Sequence, residues 1–271
     1  TIRAHKIWTT NQAMISPQTI DTKIIDAMFT NVVKTSSVFK IESWKRDAEK
    51  IRSVDILKYK TILGTIAAYE NKNDEALRLY RSILQLTTDT SYHAMTYGNI
   101  GNVLGHMGNY LGAVDSYWKA FELTNDPSYF SSFFKLCRIY YLDDQRLKNM
   151  KSLDKDKRSF FEAEFLKLQE TRQEIIENNN LNLDLYREIL KSAFSVFFKY
   201  CTNHVHRFVE VQDQQVSTIL FNTDLDLDTV MLLNDGLNEE LVNLLDSYEY
   251  EDIIKYPIIF TAENFKNVEL G

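Results

Sequence analysis

The amino-acid sequence predicts a mostly helical fold, built from helix–turn–helix units that repeat in tandem. Only three prolines and eight glycines interrupt the 271 residues, which favours long helices over many short strands. A 25-residue segment also recurs 37 residues further along the chain without a gap. Within each copy, apolar residues at helical spacing stop at a polar turn and then resume. This is the pattern of a helical hairpin that occurs twice.

Composition sets the first limits on function. Hydrophobic residues make up 44% of the chain, with 16 phenylalanines and 15 tyrosines, so the chain can build a sizeable core. No apolar run approaches the roughly 18 residues of a membrane span, and the chain does not open on a signal peptide. The two cysteines provide no disulfide framework. We therefore expect a cytoplasmic protein without a membrane partner.

The repeat is visible when the sequence is aligned with itself. "LGTIAAYENKNDEALRLYRSILQLT" (63–87) matches "IGNVLGHMGNYLGAVDSYWKAFELT" (100–124). The polar turns are "ENKND" in the first copy and "HMGNY" in the second. Five matched pairs have identical residue types: Gly64 and Gly101, Ala76 and Ala113, Tyr80 and Tyr117, Leu86 and Leu123, and Thr87 and Thr124.

Five of the eight glycines lie within "GNIGNVLGHMGNYLG" (98–112). A phosphate-binding loop is one interpretation, but neither the dinucleotide fingerprint nor the P-loop pattern occurs here. Gly98, Gly101 and Gly105 instead fall on one stripe of a helix. A glycine inside a helix costs about 1 kcal/mol relative to alanine, so close packing against a neighbouring element should offset that cost.

These residues resemble the tetratricopeptide repeat family, whose pattern is W-x2-L-G-x2-Y…A-x3-F-x2-A. The first copy departs from the pattern with Lys60 at the aromatic position. The period of 37 residues, rather than the family's 34, implies three extra residues between the copies, near "TDTSYH". A third helix, "YFSSFFKLCRIYYL" (129–142), fits half a repeat with Cys137 at the position of Gly101, but "DDQRLKNMKSL" after it lacks the expected small and aromatic residues. The resemblance covers about residues 57–142. In the second copy the matching residues are Tyr97, Ile100, Gly101, Leu104, Ala113, Tyr117 and Ala120.

The resemblance implies a curved stack whose first helices line a concave groove that binds a protein or peptide. Some family members clamp a carboxylate with lysine and asparagine in this groove. Thr61 and Gly98 stand at the lysine position here, so we do not expect that clamp. By resemblance, the residues that face the groove are Lys58, Thr61, Thr65, Met95, Gly98, Asn102, Phe134 and Arg138.

The flanking segments complete the expected organisation. Residues 1–54 supply helices that pack on the repeats of 55–153, and long helices in 154–204 continue the stack. Residues 205–271 form an acidic portion that is either a small α/β structure or an irregular helical cap. Its candidate strands are "HRFVEVQ", "QVSTILFNT" and "YPIIFTAENF", and its candidate helix, "NEELVNLLDSY", follows Gly236.

Two clusters could carry chemistry, and both fit a structural interpretation better. Cys201, His204 and His206 match no zinc spacing. The "DLDLDT" stretch imitates the start of an EF-hand loop but has Thr229 where that loop needs glycine. The chain also lacks a recognisable catalytic motif. We therefore expect no metal, no cofactor and no enzymatic activity.

Charge is unevenly distributed. Residues 210–252 hold 12 acidic and no basic residues, while the rest of the chain holds 31 basic and 26 acidic ones. This balance argues against nucleic acid as a direct partner. It leaves two interpretations of Asp224, Asp226 and Asp228: a solvated turn, or a surface for a basic partner.

We therefore expect a helical-repeat scaffold that binds a protein or peptide, as an adaptor or an inhibitory binding protein. Two alternatives stay open. One is a ligand-sensing regulator similar to the bacterial peptide-receptor repeat proteins, in which a bound peptide changes the curvature of the stack. The other is an enzyme with its site in the C-terminal third.

Overall fold

The structure, a computed structural model, describes residues 20–144, 146, 153, 155–173, 182–202, 205–212 and 215–263. It is mostly helical with a small sheet near the C-terminus, as the sequence predicts. The helices are α1 (Ile20–Phe29), α2 (Val38–Glu49), α3 (Ile56–Tyr69), α4 (Asn73–Leu86), α5 (Thr90–His106), α6 (Tyr110–Thr124), α7 (Pro127–Ile139), α8 (Lys155–Gln173), α9 (Leu183–Tyr200), α10 (Leu227–Asn243) and α11 (Tyr250–Ile253). The strands are β1 (His206–Gln212), β2 (Gln215–Phe221) and β3 (Ile258–Thr261).

The chain divides into two compact units. The helical unit is Ser36–Glu174, and the mixed unit combines Thr1–Thr35 with Ile175–Gly271. This division places α8 with the repeat helices and α9 with the sheet, which differs from the four consecutive segments expected from the sequence. Among the described residues, no helix has the length and apolar character needed to cross a membrane.

In the helical unit, the two sequence repeats form two helical hairpins, α3–α4 and α5–α6. Both first helices end in the same way. Asn71 (φ 61°) and Gly108 (φ 74°) adopt the left-handed conformation, and the next backbone N–H donates back to the carbonyl five residues earlier. Such a cap satisfies carbonyls that the end of a helix leaves free. The 37-residue repeat of the sequence is therefore also a repeat of local structure.

The three extra residues between the copies have a definite place. Helix α5 has 17 residues and α3 has 14, and α5 extends further at its N-terminal end, where it begins at Thr90. The Asp89 side chain caps this extension by accepting from the Tyr92 N–H at 3.0 Å. An extra helical turn, rather than a longer loop, accommodates the insertion.

One apolar core joins the first hairpin to the start of the second. Its residues come from α3, α4 and α5, and α4 packs against both of the other helices. Burying this shared core explains why a single hairpin would be unstable alone. Its buried members are Ala67, Ala76, Leu77, Leu79, Tyr80, Ile83, Ile100 and Val103.

Helix α7 packs against α8, and the two form a third hairpin. The segment at the place of the expected partner, 143–153, lies mostly outside the described residues. The Phe161 ring of α8 lies 4.7 Å from Phe130 and 5.5 Å from Phe134, measured between ring centroids. The partner helix thus begins about a dozen residues later than the spacing of the first two hairpins predicts.

The end of α7 corrects the expected alignment of the third repeat. Tyr141 is left-handed (φ 49°) and the Leu142 N–H donates to the Cys137 carbonyl at 2.8 Å, so Tyr141 occupies the position of Gly108. Counting back from that cap, Phe134 corresponds to Gly101. Phe134 is 5% exposed and packs on α8, so it does not line a solvent-facing groove.

The mixed unit is built around α9. As predicted, this helix is buried around most of its circumference, and only Asp184 and Lys199 within it are exposed. In the described sheet, β1 pairs antiparallel with β2 and β2 pairs parallel with β3. The Phe197 ring stacks on Phe260 of β3 with centroids 6.1 Å apart. The sheet therefore uses α9 as its hydrophobic cover, and the small α/β alternative is the one observed.

Helix α10 connects β2 to β3 and begins earlier than the sequence predicts. The Asp226 side chain caps it by accepting from the Thr229 N–H at 2.7 Å, and Gly236 lies inside it rather than before it. A Cβ at Gly236 would lie 3.2 Å from Val196 of α9. Glycine here therefore serves close helix packing, not helix initiation.

Asn234 of α10 closes the outer edge of β3. Its side-chain amide donates to the Phe260 carbonyl and accepts from the Phe260 N–H, both at 2.9 Å. These are the backbone groups that a further strand would otherwise bind. Covering them removes an unpaired edge that could pair with another chain.

Candidate functional site

The first helices of the three hairpins lie side by side. The Tyr92 hydroxyl of α5 is 3.4 Å from a carboxylate oxygen of Asp55, the residue that caps α3. Gly98 of α5 faces the Tyr129 ring of α7, and a Cβ at this glycine would come within 2.7 Å of that ring. Helices α3, α5 and α7 therefore present a continuous surface. We call it the A-helix face and define it by Lys58, Thr61, Thr65, Met95, Asn102 and Lys135.

In the first hairpin, a tyrosine of α4 crosses over a glycine of α3. A Cβ at Gly64 would lie 2.7 Å from the Tyr80 ring, so only glycine leaves room for it. The Tyr80 hydroxyl then reaches Thr65 Oγ1 at 3.0 Å. Because the Thr65 hydroxyl donates its proton to the Thr61 carbonyl, Tyr80 is the donor in this bond. The ring thus fixes a polar side chain of the A-helix face from beneath.

The second hairpin repeats this arrangement at the equivalent residues. A Cβ at Gly101 would lie 3.1 Å from the Tyr117 ring, and the Tyr117 hydroxyl donates to Asn102 Oδ1 at 2.5 Å. Asn102 itself is exposed. Its side-chain oxygen is held by the tyrosine, and its amide group is left to contact solvent or a ligand.

Both tyrosine hydroxyls stay protonated at neutral pH. Burial raises the pKa of Tyr80 to about 12, and burial also raises the pKa of Tyr117 above its ordinary value. A protonated hydroxyl is needed to donate a hydrogen bond. The two side chains therefore act as fixed donors to Thr65 and Asn102 and not as acids or bases.

Lys135 of α7 occupies the third equivalent position, six residues before the left-handed residue that ends its helix. Burial lowers the pKa of Lys135, and the neighbouring Arg138 lowers it further. Among the described residues, Lys135 has no carboxylate partner. Sequence reasoning missed this lysine, because aligning Cys137 with Gly101 assigned the position to Arg138.

The other predicted groove residues have different surroundings. Lys58 is exposed, and Met95 is half-buried. The Thr61 hydroxyl donates to the Leu57 carbonyl at 2.9 Å. Arg138 forms an ion pair with Glu164 of α8 at 3.0 Å, so it links α7 to its partner helix. The structure thus brings Thr65, Asn102 and their neighbours to one face, while Phe134 belongs to the core.

The acidic turn has a structural component. Asp224, Asp226 and Asp228 are all exposed. The hydrogen bond from Thr229 lowers the pKa of Asp226, which caps α10, and the Asp224 N–H donates to Asn222 Oδ1 at 2.9 Å. Asp226 therefore caps a helix, whereas the carboxylates of Asp224 and Asp228 have no evident structural role among the described residues.

Two members of the cysteine and histidine cluster, Cys201 and His206, lie within the described residues. Burial raises the pKa of Cys201 to about 11, an effect partly offset by the nearby Lys34 ammonium. The His206 ring stacks on Phe221 with centroids 5.1 Å apart, and His204 lies outside the described residues. Within the part of the chain that the structure describes, no three potential ligands come together to hold a metal ion.

Comparison with known proteins adds no assignment. No family model matches the chain, and no curated protein matches it.

Proposed function

We propose that this protein binds another protein or a peptide on the A-helix face, as an adaptor or an inhibitory binding protein. One observation carries this proposal. In two consecutive hairpins, a tyrosine passes over a glycine and hydrogen-bonds the polar residue that follows it, Thr65 or Asn102. If Tyr80 and Tyr117 served packing alone, neither ring would need a hydroxyl that hydrogen-bonds a polar side chain. The resemblance to tetratricopeptide repeats leads to the same proposal independently.

Holding polar side chains in place before binding favours affinity. Ordering one flexible side chain at an interface costs about 0.5–1.5 kcal/mol, and a side chain that is already fixed does not incur that cost. The Asn102 amide can donate to a backbone carbonyl of a ligand. Because adjacent first helices repeat the position, an extended peptide could meet one such group per hairpin.

Lys135 gives the proposed ligand a charge preference. It is a half-buried cation with another cation, Arg138, one turn away and no carboxylate partner among the described residues. Placing a negative group beside it would offset the cost of burying the ammonium. We therefore expect the bound segment to carry an acidic side chain or another anionic group near α7.

A random peptide library displayed on phage, selected against the purified protein, tests this proposal. We expect enriched peptides with an acidic residue and affinities in the micromolar range. Measured by calorimetry, the double variant Asn102→Ala/Lys135→Ala should bind a selected peptide at least tenfold more weakly. Arg78→Ala serves as the matched control because it removes an exposed cation of α4.

Two outcomes would contradict the proposal. One is a selection that enriches no peptide. The other is a peptide whose affinity is unchanged in the double variant while the circular dichroism spectrum shows an intact fold.

A further inference from the structure

We infer that the outer face of α10 docks a basic amphipathic helix of a partner protein. This surface lies in the mixed unit and is separate from the A-helix face, so the inference goes beyond the proposed function. Three large apolar side chains of α10 are mostly exposed: Leu227 (72%), Met231 (56%) and Val242 (63%). Leu245, just after the helix, is exposed as well. We call these four residues the α10 outer face.

These residues lie on one side of α10 and form a stripe that a polar residue interrupts. Leu227 and Met231 lie one turn apart at the start of the helix, and Val242 lies on the same side eleven residues after Met231. The exposed Asn238 lies between Met231 and Val242. The opposite side is occupied, since Leu233 and Leu237 are buried within the mixed unit. With 17 residues, α10 is about 25 Å long, enough for several turns of a second helix to lie along it. Helix α10 is thus apolar on two sides, and the described residues leave one of them uncovered.

Exposed carboxylates border the stripe. Asp228, Asp235 and Glu239 lie beside it on α10, and none of them forms an ion pair within the described residues. The nearest lysine in the sequence, Lys255, bonds to Asp252 at 2.6 Å. The carboxylates around the stripe therefore remain available to an external cation.

Charge selects among the possible occupants. A second copy of this chain would bring the exposed Asp228, Asp235 and Glu239 against the same three carboxylates, which repel each other. An anionic membrane surface and a nucleic acid would be repelled for the same reason. A helix with leucine-like residues on one side and lysine or arginine beside them fits both the apolar stripe and its acidic border.

Fluorescence anisotropy with a labelled model peptide tests the inference on the full chain. The probe is an 18-residue helix of leucine and lysine with all leucines on one side. The comparison peptide has the same composition, scrambled so that no apolar side exists. We expect the amphipathic peptide to bind at least tenfold more tightly than the scrambled one.

Variants then locate the site. Leu227→Ser/Val242→Ser should weaken binding at least tenfold, and so should Asp228→Asn/Asp235→Asn. Leu111→Ser is the matched control because Leu111 is an equally exposed apolar residue of α6 in the helical unit. All substituted side chains are exposed, so we expect the melting temperature of each variant to stay close to that of the wild type.

Three results would overturn the inference. One is equal binding of the scrambled peptide, which would indicate attraction by charge alone. Another is unchanged binding in both double variants. The third is concentration-dependent dimerisation in sedimentation experiments that Leu227→Ser/Val242→Ser abolishes, because a second copy would then be the occupant.

Discussion

The hairpins α3–α4 and α5–α6 share one contact between their two helices and differ in a second one. Both place a tyrosine over a glycine. They differ at the position where the tetratricopeptide pattern has an aromatic residue. The first hairpin has Lys60 there, and its ammonium donates to Ser82 at 3.0 Å. The second has Tyr97, whose ring centroid lies 5.5 Å from the Lys119 ammonium. Ser82 and Lys119 are equivalent residues, 37 apart.

The lysine of this contact lies on the first helix in the first hairpin and on the second helix in the second hairpin. This difference explains why Lys60 stands where the tetratricopeptide pattern has an aromatic residue. What the position requires is a contact between the first and second helix, and either a hydrogen bond or a cation–π contact provides it. The glycine and tyrosine positions are less tolerant, because the ring must occupy the space of a missing side chain.

The largest expected effect concerns these glycines. Gly64→Leu and Gly101→Leu should each destabilise the protein by about 3 kcal/mol, since the added side chain displaces a ring packed between two helices. Gly64→Ala should cost more than Gly101→Ala, because its Cβ would lie 2.7 Å from the ring instead of 3.1 Å and Tyr80 is only 2% exposed. Urea unfolding measures both differences.

Gly105→Ala is the control for this series. Its Cβ would meet only Ala113 Cβ at 3.9 Å, an ordinary contact, so the substitution should stabilise α5 by about 0.5–1 kcal/mol. Loss of stability at Gly105 equal to that at Gly64 would indicate that helix position, rather than the tyrosine rings, explains the glycines.

The tyrosine hydroxyls should differ in their contribution. Tyr80→Phe should cost about 1 kcal/mol, whereas Tyr117→Phe should cost less because its acceptor, Asn102, is exposed and water can replace the bond. The pKa of Tyr80 is raised to about 12 in the folded protein. Its contribution should therefore be complete below pH 10 and be lost as the pH rises from 10 to 12.

Thermal melts of wild type and Tyr80→Phe across this pH range provide the measurement. The stability advantage of the wild type should shrink above pH 10, because the unfolded tyrosine ionises first. A difference that stays constant up to pH 12 would contradict the raised pKa of the buried Tyr80 hydroxyl.

Thr96 offers a smaller effect at another pair of equivalent residues. Its counterpart in the first hairpin, Tyr59, bonds to Glu49 at 2.6 Å. The Thr96 hydroxyl is fully buried and has no hydrogen-bond partner among the described residues. Thr96→Val keeps the shape and removes the unsatisfied group, so it should stabilise the protein by about 1 kcal/mol in urea unfolding. A loss of stability would reveal a bond to this hydroxyl.

The smallest expected effect is the interaction energy between residues 60 and 82 and between their equivalents, 97 and 119. A double-mutant cycle with Lys60→Ala and Ser82→Ala should give a coupling of about 0.5 kcal/mol, and the cycle with Tyr97→Ala and Lys119→Ala should give a similar value. Coupling in only one hairpin would mean that the two contacts are not equivalent.

The sequence predicts the regular parts of this structure well. Helical spacing placed Tyr186, Ile189, Ala193 and Phe197 on one buried side of α9, and all four are fully buried. The 37-residue period located both hairpins. These successes share a cause, since burial repeats with the helical period and can be read from single positions.

Other features were missed because they depend on distant residues. Close packing was expected at the glycines, but nothing local shows that a tyrosine side chain, rather than a helix backbone, fills the space. The predicted alignment of the third hairpin with the first two is wrong, because Tyr141 adopts the left-handed conformation typical of glycine and a tyrosine does not predict that conformation. The start that the sequence predicts for α10 is too late, because Gly236 resembles a helix boundary, although Asp226 is a recognisable N-cap.

Site-specific photocrosslinking tests the central claim, that the A-helix face binds the partner, most directly. A benzophenone side chain placed at Asn102 should crosslink to a library-selected peptide, and the same group at exposed Arg78 of α4 should not. Mass spectrometry identifies the crosslinked residues. Efficient crosslinking from position 78 and none from position 102, with the peptide bound in both proteins, would contradict the claim.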